Sequence, residues 1–136
     1  MNSNIFREYD IRGVFPDELN RDMVRTLGLA MGTYYHGNGV DKVCLGRDCR
    51  LSSPELSEGL MAGMMESGIA VLDVGMVPTP LLYFSLHHFG ADGGVQITGS
   101  HNPPEFNGFK ICLDKTTIYG DEIQKIREII ESGDFR

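Results

Sequence analysis

The segment whose residue types are best suited to chemistry runs from residue 98 to residue 110, directly after an apolar, strand-like run. It holds Ser100 between a glycine and a histidine, then two prolines that stiffen the chain, and it ends at Lys110. A serine on a rigid turn can act as a nucleophile or carry a phosphate, and the backbone N–H groups of such a turn can bind an anion. A nearby lysine can stabilise phosphoryl charge or move a proton. Serine and asparagine before proline are also ordinary turn formers, so residue types alone leave a purely structural loop as the default interpretation.

Several known motifs that would give this segment a different role do not fit. Residues 94–100 have the first spacing of a phosphate-binding P-loop, but Ser100 occupies the position of the required lysine. The serine does not lie in the G-x-S-x-G pattern of a nucleophile elbow, and the G-x-G-x-x-G dinucleotide pattern is absent. His87 and His88 are adjacent, and adjacent helical residues point apart, which makes them a poor metal-binding pair.

Two further charged clusters lie at residues 7–13 and 46–54. The first places dense charge on a short strand, and an edge strand with salt bridges is its favoured interpretation from the residues alone. The second follows a strand and precedes a helix, where an Arg–Asp network would fix the loop and Ser53 would cap the helix ahead of Pro54. We predict a structural role for residues 46–54, or at most an indirect one at a site.

Alternating strand and helix signals surround these segments and must position them. Apolar residues at three- and four-residue spacing predict four helices, separated by strand-like runs. This pattern predicts an α/β protein, a three-layer α/β/α sandwich with a mixed, mostly parallel sheet of about four strands, in one domain over residues 1–136. The gap between the strands on either side of the serine loop is too short for a helical crossover, so they should be antiparallel or not neighbours. Ligands of open sheets gather at the strand ends.

The composition excludes several classes of protein. The 136 residues contain 12 Lys and Arg against 19 Asp and Glu, a formal charge of −7, which disfavours general binding to nucleic acid or to an anionic membrane. No apolar run approaches the ~18–20 residues of a membrane span, and the N-terminus lacks the pattern of a secretory signal. The three cysteines form no C-x-x-C pair and are typical of a reducing compartment, so we expect a cytoplasmic protein.

Four stretches together identify a family resemblance: FREYDIRG at residues 6–13, GRDCRLS at 46–52, VGMVPTP at 74–80 and TGSHNP at 98–103. In this order they make the chain closely similar to the N-terminal domain of the α-D-phosphohexomutases, and most similar to the bacterial phosphomannomutase/phosphoglucomutase branch. The family more often has alanine where this chain has Gly99, and the branch resembles this chain there.

The resemblance implies a specific chemistry. Ser100 would be the phosphoserine whose phosphoryl group passes to a hexose 1- or 6-phosphate, giving a 1,6-bisphosphate that returns its other phosphate to the serine. Mg²⁺ would neutralise the charge, with an oxygen of the phosphate on Ser100 as one ligand. Lys110 would serve proton transfer or phosphoryl stabilisation, Arg12 would handle charge in the same way, and both would contact substrate. Tyr9 and His101 would line the site, Tyr9 as a substrate contact and His101 as one of the catalytic residues.

The resemblance also implies that further chain is needed for activity. Family members have four domains around a cleft, and this chain would supply domain I alone, without the remaining metal ligands and most sugar contacts. Its partners would be a sugar phosphate and the three other domains, and the piece alone would be inactive. Two alternatives stay open: a stand-alone binding or regulatory module without catalysis, and a parent enzyme with phosphoglucosamine mutase specificity.

Overall fold

The computed structural model of the chain describes residues 3–135 and contains four helices and six strands within them. After a short 3-10 turn, the elements in chain order are β1 (Ile11–Val14), α1 (Arg21–Gly37), β2 (Lys42–Arg47), α2 (Ser53–Glu66), β3 (Ala70–Met76), α3 (Thr79–Phe89), β4 (Gly93–Ile97), β5 (Phe106–Leu113), β6 (Thr116–Thr117) and α4 (Asp121–Ser132). No helix among the described residues is long and apolar enough to cross a membrane.

Local signals account for the helix boundaries in most places. Asn20 caps α1, because its side chain accepts a hydrogen bond of 3.0 Å from the N–H of Met23. The first residue of α2 is Ser53, preceded by Ser52 at the cap position, and neither hydroxyl caps the helix by a side-chain hydrogen bond. The predicted capping role of Ser53 is therefore wrong, since its hydroxyl donates to the carboxylate of Asp48 instead.

The sheet is mixed, with strand order β1-β5-β4-β2-β3 and β6 paired to β5. β4, β2 and β3 run parallel, while β5 is antiparallel to β4, β1 and β6. The α/β class and the antiparallel arrangement of the strands flanking the serine loop are confirmed. The sheet is larger than the predicted four strands and is parallel only over β4, β2 and β3. The pairing of β1 with β5 joins segments far apart in sequence, and β6 has only two residues, so neither was visible in a local pattern.

The helices cover the two faces of the sheet unequally. α1, α2 and α4 bury one face in a large apolar core, and α3 packs against β2 and β4 on the other face, which completes the predicted three layers. Because strand side chains alternate, Phe109 and Ile111 of β5 lie in the large core while Cys112 lies under α3. Lys110 of β5 and Arg12 of β1 therefore point to the same face as α3, where both are half-buried.

Candidate active site

Ser100 lies in the loop between β4 and β5, at the end of the strand, and its side chain is exposed. Its φ of 52° lies in the left-handed region, which costs an L-residue about 1–2 kcal/mol. The Ser100 N–H donates a hydrogen bond of 3.0 Å to the Thr98 hydroxyl. Such a conformation occurs both in turns, as at Asp114 and Lys115, and at functional sites, so the contacts around the loop must distinguish the two.

A single side chain, that of Arg50, holds the rest of this loop. Its guanidinium donates four hydrogen bonds to backbone carbonyls of the loop, those of Ser100, Asn102, Pro103 and Phe106. Its Nε lies 3.5 Å from a carboxylate oxygen of Asp48, and only 16% of the Arg50 side chain is exposed. Arg50 follows β2, and β2 and β4 are parallel neighbours, so the loops after these two strands meet at the same edge of the sheet.

Asp48 joins the same two loops through its carboxylate. It accepts hydrogen bonds from the Ser53 hydroxyl at 2.6 Å, the Arg50 N–H at 3.1 Å and the Gly99 N–H at 2.9 Å. Burial raises the pKa of this carboxyl, but the hydrogen bonds from Ser53, Gly99, Arg50 and Thr98 outweigh burial and hold its pKa below the ordinary value. Asp48 is therefore ionised at neutral pH and balances the charge of Arg50.

Arg12 reaches the serine loop through Asn102. The Asn102 amide nitrogen donates to the Gly99 carbonyl at 2.9 Å, and its amide oxygen accepts from Arg12 Nη1 at 3.3 Å. Arg12 Nε also lies 3.4 Å from a carboxylate oxygen of Asp10. The structure thus brings Arg12 against the loop, and Asn102 links Arg12 to the Gly99 carbonyl.

Lys110 lies on the strand that follows the loop, on the same face of the sheet as Arg12. Arg12 is in register with Gly108, and Lys110 is two residues further along β5, so the two cations are diagonal cross-strand neighbours. Gly108 separates them without a side chain, and a Cβ there would lie only 2.8 Å from the Cβ of Arg12. The Thr98 N–H donates to the Gly108 carbonyl at 2.9 Å, which ties the start of the loop to this strand.

The other two predicted site residues are exposed. His101 follows Ser100 in the loop. Tyr9 is 71% exposed, and its ring centroid lies 6.4 Å from that of Tyr119, a residue that the sequence analysis did not select. Among residues 3–135, no hydrogen bond or ring contact joins Tyr9 to the loop, so its role in substrate binding stays a prediction.

Residues 46–54 have a larger role than their local pattern predicts. The pattern predicts an Arg–Asp network that fixes its own loop, whereas Arg50 and Asp48 fix the serine loop, from which they are separated by about fifty residues of chain. The signal that could have revealed this is the position of D-x-R directly after a buried strand, at the sheet edge where the serine loop also begins.

The described residues do not contain a complete metal site. In the part of the chain that the structure describes, no group of three or more His, Cys, Asp or Glu side chains is arranged to hold an ion. A phosphate on Ser100 would supply one oxygen ligand, which is insufficient for Mg²⁺, an ion that prefers six oxygen ligands. These residues alone do not form a Mg²⁺ site.

Comparisons with known proteins agree with this arrangement. A family model described as phosphoglucomutase/phosphomannomutase, alpha/beta/alpha domain I, matches residues 3–136. A phosphomannomutase/phosphoglucomutase of Pseudomonas aeruginosa is 46% identical over 97% of this chain, and a phosphoglucomutase of Neisseria gonorrhoeae has the same identity and coverage. The chain spans 28% and 29% of the lengths of these relatives. A crystal structure of a phosphoglucomutase/phosphomannomutase family protein from Burkholderia thailandensis superposes with a TM-score of 0.93 at 43% identity, over all of this chain and 31% of the other.

Proposed function

This chain belongs to the phosphoglucomutase/phosphomannomutase family, and we propose that it is domain I of a longer phosphohexomutase, in which Ser100 carries the transferred phosphoryl group. The observation that supports this proposal most directly is the exposed Ser100 in a left-handed conformation. Arg50 holds its loop by hydrogen bonds to backbone carbonyls, and Arg12 contacts the loop through Asn102. Asp114 and Lys115, in the turn between β5 and β6, are also left-handed, so the contacts of Arg50 and Arg12 with the loop distinguish Ser100 from them.

The proposed reaction is a reversible phosphoryl transfer. A hydroxyl oxygen of a hexose monophosphate bonds to the phosphorus as the bond to Ser100 Oγ breaks, and the sugar hydroxyl gives up its proton while Ser100 Oγ gains one. The resulting 1,6-bisphosphate then returns its other phosphate to Ser100 by the reverse step. The net result interconverts hexose 1-phosphate and hexose 6-phosphate, with mannose and glucose as the proposed sugars. A cytoplasmic location, predicted from the unpaired cysteines, belongs to the same proposal.

The charges beside Ser100 suit this chemistry. Arg50 donates to four loop carbonyls, whereas Arg12, although paired with Asp10, makes one hydrogen bond to the loop. We therefore assign stabilisation of the negative charge on the transferring group to Arg12 and Lys110, with Lys110 as a candidate for proton transfer. These side chains form no covalent bond with the phosphoryl group, so they act by their position and charge. A Mg²⁺ ion would be completed by ligands outside this chain, and Tyr9 and His101 would line the site.

The proposal is tested in the full-length parent enzyme. Ser100→Ala should abolish interconversion of mannose and glucose 1- and 6-phosphates, and the gain of one phosphoryl group on incubation with glucose 1,6-bisphosphate should disappear from the intact mass. Ser132→Ala is the matched control, because Ser132 is exposed in the last turn of α4 and bonds only to neighbouring residues. Turnover at the wild-type rate in Ser100→Ala would refute the proposal, and wild-type protein without turnover on any hexose phosphate would favour a non-catalytic module.

Sugar specificity has a second candidate. A protein named "probable phosphoglucosamine mutase" from Thermococcus kodakarensis is 39% identical over 93% of this chain. A substrate panel that includes glucosamine phosphates therefore belongs to the same experiment. Preference for glucosamine phosphates over mannose and glucose phosphates would replace the proposed specificity while leaving the role of Ser100 intact.

A further inference from the structure

We propose that Arg50 is a positioning residue for phosphoryl transfer at Ser100, acting through the backbone of the serine loop rather than by touching the substrate. This inference rests on the proposed function. Arg50 Nη2 donates to the carbonyl of Ser100 at 3.1 Å, and the N–H of Ser100 donates to the Thr98 hydroxyl. Both backbone groups of the reacting serine are thus held, one on each side, which maintains its left-handed φ of 52°.

The shape of the guanidinium is what makes this arrangement possible. Nη1 donates to the carbonyls of Pro103 and Phe106, and Nη2 to those of Ser100 and Asn102, so one planar group spans the whole loop. A lysine has three donors on a compact ammonium and no planar fork. Arg50→Lys keeps the positive charge but cannot reach all four carbonyls. The substitution therefore separates the loss of loop geometry from the loss of charge.

The direction of these carbonyls has an electrostatic consequence. Each peptide carbonyl carries partial negative charge, and the loop has four of them turned towards Arg50. If they were released, some could rotate towards a phosphate on Ser100 and repel it. Asp48 balances the guanidinium charge, so the benefit of Arg50 to the reaction comes from the orientation of the loop and not from a free cation near the substrate.

Gly99 lies against the same guanidinium. A Cβ at this position would overlap the guanidinium of Arg50, so alanine, which the family more often has here, would require Arg50 to sit differently from its position in this chain. Gly99→Ala should displace the guanidinium without removing any hydrogen-bonding group from the chain. If Arg50 acts as proposed, Gly99→Ala and Arg50→Lys disturb the same interaction, and their effects on kcat should be less than multiplicative.

The test measures kcat, KM and thermal stability in the full-length parent enzyme. Arg50→Lys should lower kcat by about 10- to 100-fold, since misplacement by about 1 Å costs on that order, and should change KM for the sugar phosphate by less than about threefold. Gly99→Ala should lower kcat by about 3- to 10-fold, and the double variant should be no slower than about twofold below Arg50→Lys. Arg25→Lys is the matched control, because Arg25 forms an exposed pair with Glu66 away from the loop.

Three outcomes would overturn the inference. The first is a kcat for folded Arg50→Lys within twofold of the wild-type value, and the second is a rise in KM at unchanged kcat. The third is a loss of activity equal to the fraction of unfolded protein, which would make Arg50 a stabilising residue only. If Arg50→Lys does not fold, Gly99→Ala decides by the same kcat and KM criteria. Retained activity in Ser100→Ala would instead refute the proposed function, so the two failures are distinguishable.

Discussion

Removing the carboxylate of Asp48 should destabilise the chain far more than removing an ordinary surface carboxylate. Asp48→Ala deletes the acceptor for the Ser53 hydroxyl and for the N–H groups of Arg50 and Gly99. It also leaves the guanidinium of Arg50, whose side chain is only 16% exposed, without its counter-charge. Breaking one partner of a half-buried, hydrogen-bonded ion pair is costly, because the remaining groups lose their partners and stay out of water.

The size of the effect can be worked out from these contacts. Three hydrogen bonds, from the Ser53 hydroxyl and the N–H groups of Arg50 and Gly99, and a fourth from the Thr98 hydroxyl depend on this carboxylate. At about 1 kcal/mol each, their loss totals roughly 4 kcal/mol. Water can reach the site in part, because 21% of the Asp48 side chain is exposed, so we expect a loss of about 3 kcal/mol in the free energy of unfolding at pH 7. Asp48→Asn retains one acceptor oxygen and should cost about half as much.

The pH dependence carries a definite sign. The pKa of Asp48 in the folded chain is lowered below its ordinary value, so its ionised form stabilises the fold. That contribution is complete above the unfolded pKa of about 3.9 and is lost as the pH falls through the folded pKa. The stability difference between wild type and Asp48→Asn should therefore be constant between about pH 5.5 and 8 and should shrink at more acidic pH.

Urea unfolding of the chain, followed by circular dichroism between about pH 5.5 and 8 and at more acidic pH, measures this loss of stability and its pH dependence directly. Asp92→Ala is the control, because Asp92 forms a surface pair with Lys115 and its side chain is 61% exposed. That control should lose no more than about 1 kcal/mol. A loss below about 0.5 kcal/mol in the free energy of unfolding for Asp48→Ala at pH 7 would refute the conclusion that the Asp48 carboxylate stabilises the fold through these contacts. A stability difference that grows towards low pH would refute the sign of its pKa shift.

Three further predictions follow from single contacts. Leu60→Ala should reduce the free energy of unfolding by about 2–5 kcal/mol, because Leu60 is fully buried. Leu51→Ala should change it by less than about 0.5 kcal/mol, because Leu51 is fully exposed. Urea unfolding midpoints, at an unchanged m-value, test both expectations. Gly28→Ala should destabilise the chain although alanine favours helices, since a Cβ there would overlap the Leu60 carbonyl, while Gly37→Ala meets no atom within 4 Å and should be neutral or stabilising by up to about 1 kcal/mol in the same assay. Arg12→Gln should lower kcat/KM of the parent enzyme by about 100-fold, and a change below threefold in steady-state kinetics would remove Arg12 from the proposed charge-handling role.

Several features of this fold could be predicted because their causes are local. The apolar spacing that predicts four helices needs only neighbouring residues to be recognised, and four α-helices are found among the described residues. The short gap between β4 and β5 excluded a crossover by length alone, and the strands are indeed antiparallel neighbours. The residue types of the serine loop drew attention to it but left a structural loop as the default, and the role of Ser100 was predicted from the family resemblance.

Other features depended on segments that meet only when the chain folds. The pairing of Ile11 with Phe109 and the hydrogen bonds from Arg50 to the serine loop join residues far apart in sequence. Periodicity carries no information about such partners, because it reports which face of an element is buried and not what lies against that face. For the same reason Ser53 was predicted to cap its own helix, although its hydroxyl bonds Asp48.

The amino-acid sequence by itself therefore determined the fold class, the family and the serine expected to react. The fold class follows from the local spacing of apolar residues, whereas the family and the serine expected to react follow from the resemblance carried by four short stretches of the chain. Only the tertiary structure decided which side chains hold that serine, because the parallel packing of β2 against β4 brings Asp48 and Arg50 beneath the loop. The contacts that hold the Ser100 carbonyl and the Gly99 N–H therefore belong to the assembled sheet edge and not to any local pattern.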